Sequence, residues 1–169
     1  RLMIDIHSHL LFGLDDGSKD LKTSLKMAES FVKLGFTKVF CSPHVIRAYY
    51  ENDIHTINSQ FNILRDELKK NEIPLELEVF AENYLDESLE KNLNNNEIVT
   101  FNNKILVEGP MNTWPDYLAE LLFIIQTYNL CPIIAHPERN YHLTTHINEI
   151  LTFKEQSYLL QGNILSVVG

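Results

Sequence analysis

Five short apolar runs in this chain each lead at once into a histidine or a carboxylate, and that repeated ending limits what the chain can fold into. The first run, 3–6, passes into Asp5-Ile6-His7-Ser8-His9, and the second, 37–41, is followed by Ser42-Pro43-His44. The third, 77–81, leads to Glu82, the fourth, 105–107, to Glu108, and the fifth, 132–135, to His136. Between the runs, apolar residues recur at helical spacing. Leu21, Leu25, Ala28 and Val32 precede Gly35, which stands where a helix C-cap glycine would. Ile54, Ile57, Phe61, Leu64 and Leu68 precede Pro74, and Leu118, Leu121, Leu122 and Ile125 follow Pro115 at a helix first turn. Residues 98–101 and 105–107 flank Asn102-Asn103, which predicts a tight turn. A helix over 147–155 and a sixth strand over 158–161 complete an alternation of strand and helix, the pattern of an α/β domain.

In a (β/α) barrel the C-terminal ends of successive strands converge on one rim, where active sites are built. Residues of metal-ligand type at five strand ends would therefore meet there. A single histidine or glutamate at a strand end is ordinarily a cap or a surface residue, so the signal lies in the convergence and not in any one side chain. Neutral imidazole mixed with carboxylate suits zinc, iron or manganese better than magnesium or calcium, which prefer oxygen donors. His55, His142 and His146 lack such a setting and read as surface histidines, and Tyr49 and Tyr50 as loop or rim residues.

Composition removes several alternatives. The 169 residues suit one domain, 1–169, with 44% hydrophobic residues and few glycines or prolines, which excludes disorder and low-complexity structure. Fourteen basic against 23 acidic side chains, a formal charge of −9, argue against a nucleic-acid partner. No apolar stretch approaches the roughly 18 residues of a membrane span, and no export signal opens the chain, so no membrane insertion is expected. Cys41 and Cys131 both lie in apolar runs, which fits a cytoplasmic protein without disulfides.

Taken in order, Asp5-Ile-His7-Ser-His9, Asp15-Asp16-Gly17, Ser42-Pro43-His44, Ala81-Glu82-Asn-Tyr-Leu-Asp-Glu87 and His136-Pro137-Glu138-Arg139 resemble the PHP (polymerase and histidinol phosphatase) superfamily. The closest resemblance is to its bacterial tyrosine-protein phosphatase branch, linked to capsular and exopolysaccharide synthesis. The resemblance implies a distorted (β/α)7 barrel with a three-metal cluster of manganese, iron or zinc at the strand ends. By motif, His7 and His9 would bind the first metal, with Glu82 bridging to the second, which Glu108 and His136 would complete. Asp16 or Asp15, with His44, would serve the third, and Arg139 would hold the substrate phosphate. The family pattern continues past residue 169 to a late Asp-x-His motif, so the barrel is expected to lack its C-terminal part and to expose a strand edge. The family is also usually more apolar where Gly109 stands.

The activity so implied is hydrolysis of phosphotyrosine by a metal-activated water, with His136 or a metal-bound water as proton source. The implied partner is an autophosphorylated bacterial tyrosine kinase of polysaccharide export, and self-association is left open. A small-molecule phosphatase of the histidinol-phosphate type and a non-catalytic metal-binding domain are the competing readings. Cys41-Ser-Pro-His-Val-Ile-Arg47 also has the spacing of cysteine-dependent tyrosine phosphatases. Pro43 removes a phosphate-cradling N–H, however, and no glycine permits close backbone approach, so Cys41 reads as a core residue.

Overall fold

Two aspartates start the two long helices. Asp20 accepts the Thr23 N–H at 2.7 Å and opens α1 (Leu21–Lys33), and Asp53 accepts the Thr56 N–H at 2.7 Å and opens α2 (Ile54–Lys70). Helix α1 ends as its sequence predicts, with Gly35 in the left-handed region at φ +92°. The structure, a computed structural model, describes residues 2–168, and the chain divides into two compact units, Arg1–Ala81 and Glu82–Gly169.

In the first unit, β1 (Met3–Ser8), β2 (Phe36–Cys41) and β4 (Glu76–Val79) form a parallel sheet in the order β1-β2-β4, with a two-residue strand β3 (His44–Val45) after β2. Val39, Cys41, Leu64 and Leu68 are buried, the last two on the α2 face that the three- and four-residue spacing predicted. Strand β1 lies at the edge of this sheet, with Ile4 48% and Ile6 44% exposed.

In the second unit β5 (Glu82–Tyr84), β6 (Lys104–Glu108), β7 (Cys131–Ala135) and β8 (Leu159–Gln161) pair in that order, all parallel. The intervening helices are α3 (Ser88–Asn94), α4 (Tyr117–Thr127), α5 (Tyr141–Thr145) and α6 (Ile147–Glu155), with a short helix α7 (Ile164–Val168) after β8. Leu118, Leu122 and Ile125 of α4 pack with Ile105 and Val107 of β6 and Ile134 of β7 in one apolar core. On β8 both Leu159 and Leu160 are 42% exposed.

Periodicity located most of these elements, and two departures have physical reasons. The run 77–81 does not reach Glu82 as one strand: β4 ends at Val79, and Glu82 opens β5 instead of following a strand. Apolar content is continuous across the break, so hydropathy cannot register it. Residues 98–101 form no strand; Phe101 and Lys104 exchange backbone hydrogen bonds around Asn102, which sits at φ +53° in the expected turn. Helix α3 is short and lies in an asparagine-rich stretch that carries little helical signal.

Neighbouring positions on α4 offer a direct check of the core. Leu122 is fully buried while Phe123 is 63% exposed. Leu122→Ala is expected to cost about 2–5 kcal/mol in urea unfolding, and Phe123→Ala about 0.5 kcal/mol or less.

Candidate metal centre

The first unit gathers four of the sequence-predicted ligands. Strands β1 and β2 run in parallel, with Ser8 opposite Cys41. Buried Ser42 then joins their ends: its N–H donates to the Ser8 carbonyl at 2.8 Å, and its Oγ accepts the Ser8 N–H at 3.0 Å. That join brings the His9 and His44 rings to a centroid separation of 4.6 Å, with the His7 ring 5.3 Å from His9. Tyr50 stacks flat on His44 at 5.5 Å, whereas Tyr49 is exposed as expected.

The two aspartates divide their work. The Asp15 side chain is fully buried and hydrogen-bonded to His9 Nδ1 at 2.7 Å. It also accepts the Gly17 N–H at 2.9 Å and the His44 N–H at 3.0 Å. Burial raises its pKa, but the His9 hydrogen bond and charge, with the Gly17 and His44 N–H donors, outweigh that and hold the carboxyl below its ordinary value. Asp15 is thus engaged in orienting His9, leaving Nε2 as the outward nitrogen, as carboxylates behind metal-bound imidazoles do. Asp16 is 67% exposed, with Oδ1 3.8 Å from His44 Nε2. His9, Asp16 and His44 each present a donor atom, all within 4.8 Å of one another.

The loop closes only because residue 17 lacks a side chain. A Cβ there would stand 2.3 Å from the His9 Cβ and 2.4 Å from the His9 oxygen. Asn52, which carried no sequence signal, holds the same region by donating to the Leu14 and His44 carbonyls at 2.8 Å each.

The second unit gathers the other three ligand candidates. Glu82 lies opposite Leu106, and Tyr84 opposite Glu108, so both glutamates leave the same face of the sheet. Glu82 is fully buried and Glu108 8% exposed. His136 follows β7 directly, with Nε2 2.8 Å from Glu82 Oε1 and 4.0 Å from Glu108 Oε2. Its backbone sits at φ +33°, in the region that non-glycine residues seldom enter, and its N–H donates to the Gln161 carbonyl at 2.6 Å. Arg139 ends the 3-10 turn Pro137–Arg139 and is exposed.

These donor sets fit divalent cations. Buried carboxylates such as Glu82 and Glu108 are costly as anions unless positive charge compensates them, which a bound cation would supply. The histidine–aspartate group in the first unit has the mixed nitrogen and oxygen chemistry of zinc, iron or manganese. The remaining candidates fall elsewhere. His55 is exposed on α2, in an Asp53-Ile54-His55 triplet whose aspartate is the helix cap. His142 bonds Glu149 at 2.7 Å and stacks on His146. Cys41 is fully buried, and burial pushes its thiol pKa far up, the opposite of what a nucleophilic thiolate needs.

A family model for capsular polysaccharide synthesis, CpsB/CapC, matches residues 3–169 and so runs through both units. The chain belongs to the CpsB/CapC family. It is 29% identical to CapC of Staphylococcus aureus over 99% of this chain and 66% of that protein. It is also 29% identical to the tyrosine-protein phosphatase YwqE of Bacillus subtilis over 99% of this chain and 68% of that protein. The tyrosine-protein phosphatase CpsB of Streptococcus agalactiae is 31% identical over 81% of this chain and 57% of that protein. A crystal structure from the pair YwqE of Bacillus subtilis and CpsB of Streptococcus pneumoniae, described as metal-dependent tyrosine phosphatases, matches with a TM-score of 0.88. That match has 30% identity and covers 95% of this chain and 66% of that one. The fold is accordingly of the PHP type, and the chain spans between 57% and 68% of the length of these CpsB/CapC relatives.

The close approach at residue 17 makes a prediction. Gly17→Ala is expected to displace the Asp15–Asp16 loop and lower bound metal per chain, measured by elemental analysis after dialysis against Mn²⁺. Wild-type metal content in that variant would contradict the steric account.

Proposed function

We propose that residues 1–169 belong to one metal-dependent protein-tyrosine phosphatase domain acting in polysaccharide synthesis or export. The observation that carries this reading is Arg139, exposed three residues beyond His136, which itself contacts buried Glu82. An exposed guanidinium close in sequence to the Glu82–His136 pair supports the reading that a phosphate binds beside cations there. The names of the CpsB/CapC relatives support the same conclusion.

In this proposal His7, His9, Asp16, His44, Glu82, Glu108 and His136 are the ligands of up to three ions, manganese, iron or zinc. Such ions supply charge neutralisation at phosphorus and a water acidic enough to act near neutral pH. The chain's own residues do the positioning. Asp15 holds the His9 ring by its Nδ1, so that Nε2 faces the ligand group. His136 Nε2 faces the Glu82 carboxylate at 2.8 Å, so these two proposed ligands point at each other. Arg139 holds two non-bridging phosphate oxygens through its forked N–H donors and aligns phosphorus for in-line displacement. The P–O bond to the aryl group breaks as the new P–O bond forms. Phenolate, with a pKa of roughly 10, leaves with little help from a general acid.

The proposed substrate is an autophosphorylated tyrosine kinase of polysaccharide export, and the proposed location is the cytoplasm. Cys41 and Cys131 are both free thiols, which fits a reducing compartment. No helix among the described residues is long and apolar enough to cross a membrane.

The full-length protein is expected to hydrolyse a phosphotyrosyl peptide in Mn²⁺, to lose that activity to a chelator and to regain it on adding Mn²⁺. Preference for histidinol phosphate over the peptide would instead favour a small-molecule enzyme. Glu82→Gln is expected to lower turnover by at least about 100-fold, since even outer-shell changes cost 10–100-fold. Cys41→Ser is expected to stay within a few-fold of wild type; a large loss with fold and metal intact would restore the cysteine mechanism.

A further inference from the structure

The segment that follows β7 is tied down on both sides of Arg139. On one side the Glu138 carboxylate accepts the Asn163 N–H at 2.9 Å. On the other, Asn140 is 6% exposed and uses its whole side-chain amide. Its Nδ2 donates to the Pro110 carbonyl at 2.5 Å and to the Thr113 carbonyl at 3.0 Å, while its Oδ1 accepts the Leu143 N–H at 2.8 Å. The adjacent Tyr141 N–H donates to the Met111 carbonyl at 2.9 Å. Two donations to carbonyls and one acceptance from an N–H admit a single orientation of the amide.

The loop so held is the one that leaves Glu108. Met111, Trp114, His136 and Arg139 line one small cleft between this loop and the turn. Trp114 approaches so closely that a Cβ on Gly109 would stand 2.5 Å from its ring, so the small residue at 109 is what admits the indole. The loop after one proposed ligand and the arginine after another are therefore held to each other by one buried amide.

We propose that Asn140 is a positioning residue for substrate binding: it locks the 109–113 loop against the Arg139 turn and sets where the guanidinium meets phosphate. The proposal rests on the assignment of Arg139 to phosphate. Without the two donations the loop carbonyls lose buried partners and the two segments move independently, so Arg139 samples more positions and binds phosphate less well. The metal ligands themselves are untouched.

Asn140→Ser in the full-length protein separates this role from helix capping. Serine keeps an N-cap oxygen for α5 but cannot reach both carbonyls. Trp114 is the one tryptophan among residues 1–169, and the part of the acrylamide quenching that disappears in a Trp114→Phe background reports the loop without reference to activity. The expected result is stronger quenching and a KM for phosphotyrosyl peptide raised about three- to tenfold, as suits the loss of one or two hydrogen bonds. Turnover at saturation and bound Mn²⁺ are expected within about twofold of wild type. In an Arg139→Ala background, Asn140→Ser is expected to raise KM no further, because residues acting through one group are not additive.

Unchanged quenching in Asn140→Ser would overturn the clamp, and an equal KM increase with and without Arg139 would overturn the route through the arginine. If Arg139→Ala alone leaves KM at the wild-type value, the assignment of Arg139 to phosphate fails, and with it the substrate-binding role of Asn140. Quenching still decides the clamp itself in that case.

Discussion

A carboxylate with no access to solvent has to be answered by positive charge or by hydrogen-bond donors, and Glu82 imposes that requirement on the second unit. Its answer within that unit is His136, 2.8 Å away. To present its ring there the His136 backbone enters the left-handed region, and the surrounding contacts keep it in place. The Gln161 carbonyl takes the His136 N–H, Glu138 takes the Asn163 N–H, and Asn140 takes hold of the loop beyond Glu108. Each of these contacts ties the segment after β7 to another part of the same unit. The exposed arginine at the end of the turn inherits a defined position from neighbours that are themselves buried or bonded.

The first unit meets the same requirement differently. Asp15 is the buried carboxylate there, and its partners are the His9 ring and two backbone N–H groups. Because these donors stabilise the ionised form, Asp15 stays a reliable acceptor and fixes the His9 tautomer with the proton on Nδ1. Asp16, one residue on, is left exposed to face outward. Two adjacent residues of the same type thus have opposite roles, decided by which one the chain reversal at Gly17 turns inward. A carboxylate behind an imidazole is how protein sites hold metal-binding nitrogens in one orientation, and the first unit uses it at His9.

Much of this was legible in the sequence. The long helices, the strands around residues 105–107 and 132–135, and helix α6 follow from apolar periodicity and capping residues, since burial of one face is a local pattern. All seven ligand candidates and Arg139 could be named from their place after apolar runs or within a family motif. What escaped is equally specific. The break between β4 and β5 is invisible in a continuous apolar run. Asn52 and Asn140 carry no signal in the sequence, because a side chain that bonds carbonyls 27 to 38 residues away leaves no local trace. The choice between Asp15 and Asp16 stayed open for the same reason.

The sequence by itself determined the alternation of strand and helix, the residue types available for chemistry and the membership of this chain in the CpsB/CapC family. Those properties depend on the order and spacing of side chains along the chain. The tertiary structure alone decided which aspartate orients a ring and which is left exposed beside His44. It also decided that Asn140 joins the Glu108 loop to the Arg139 turn. Those outcomes depend on burial and on partners distant in sequence, and a linear pattern records neither.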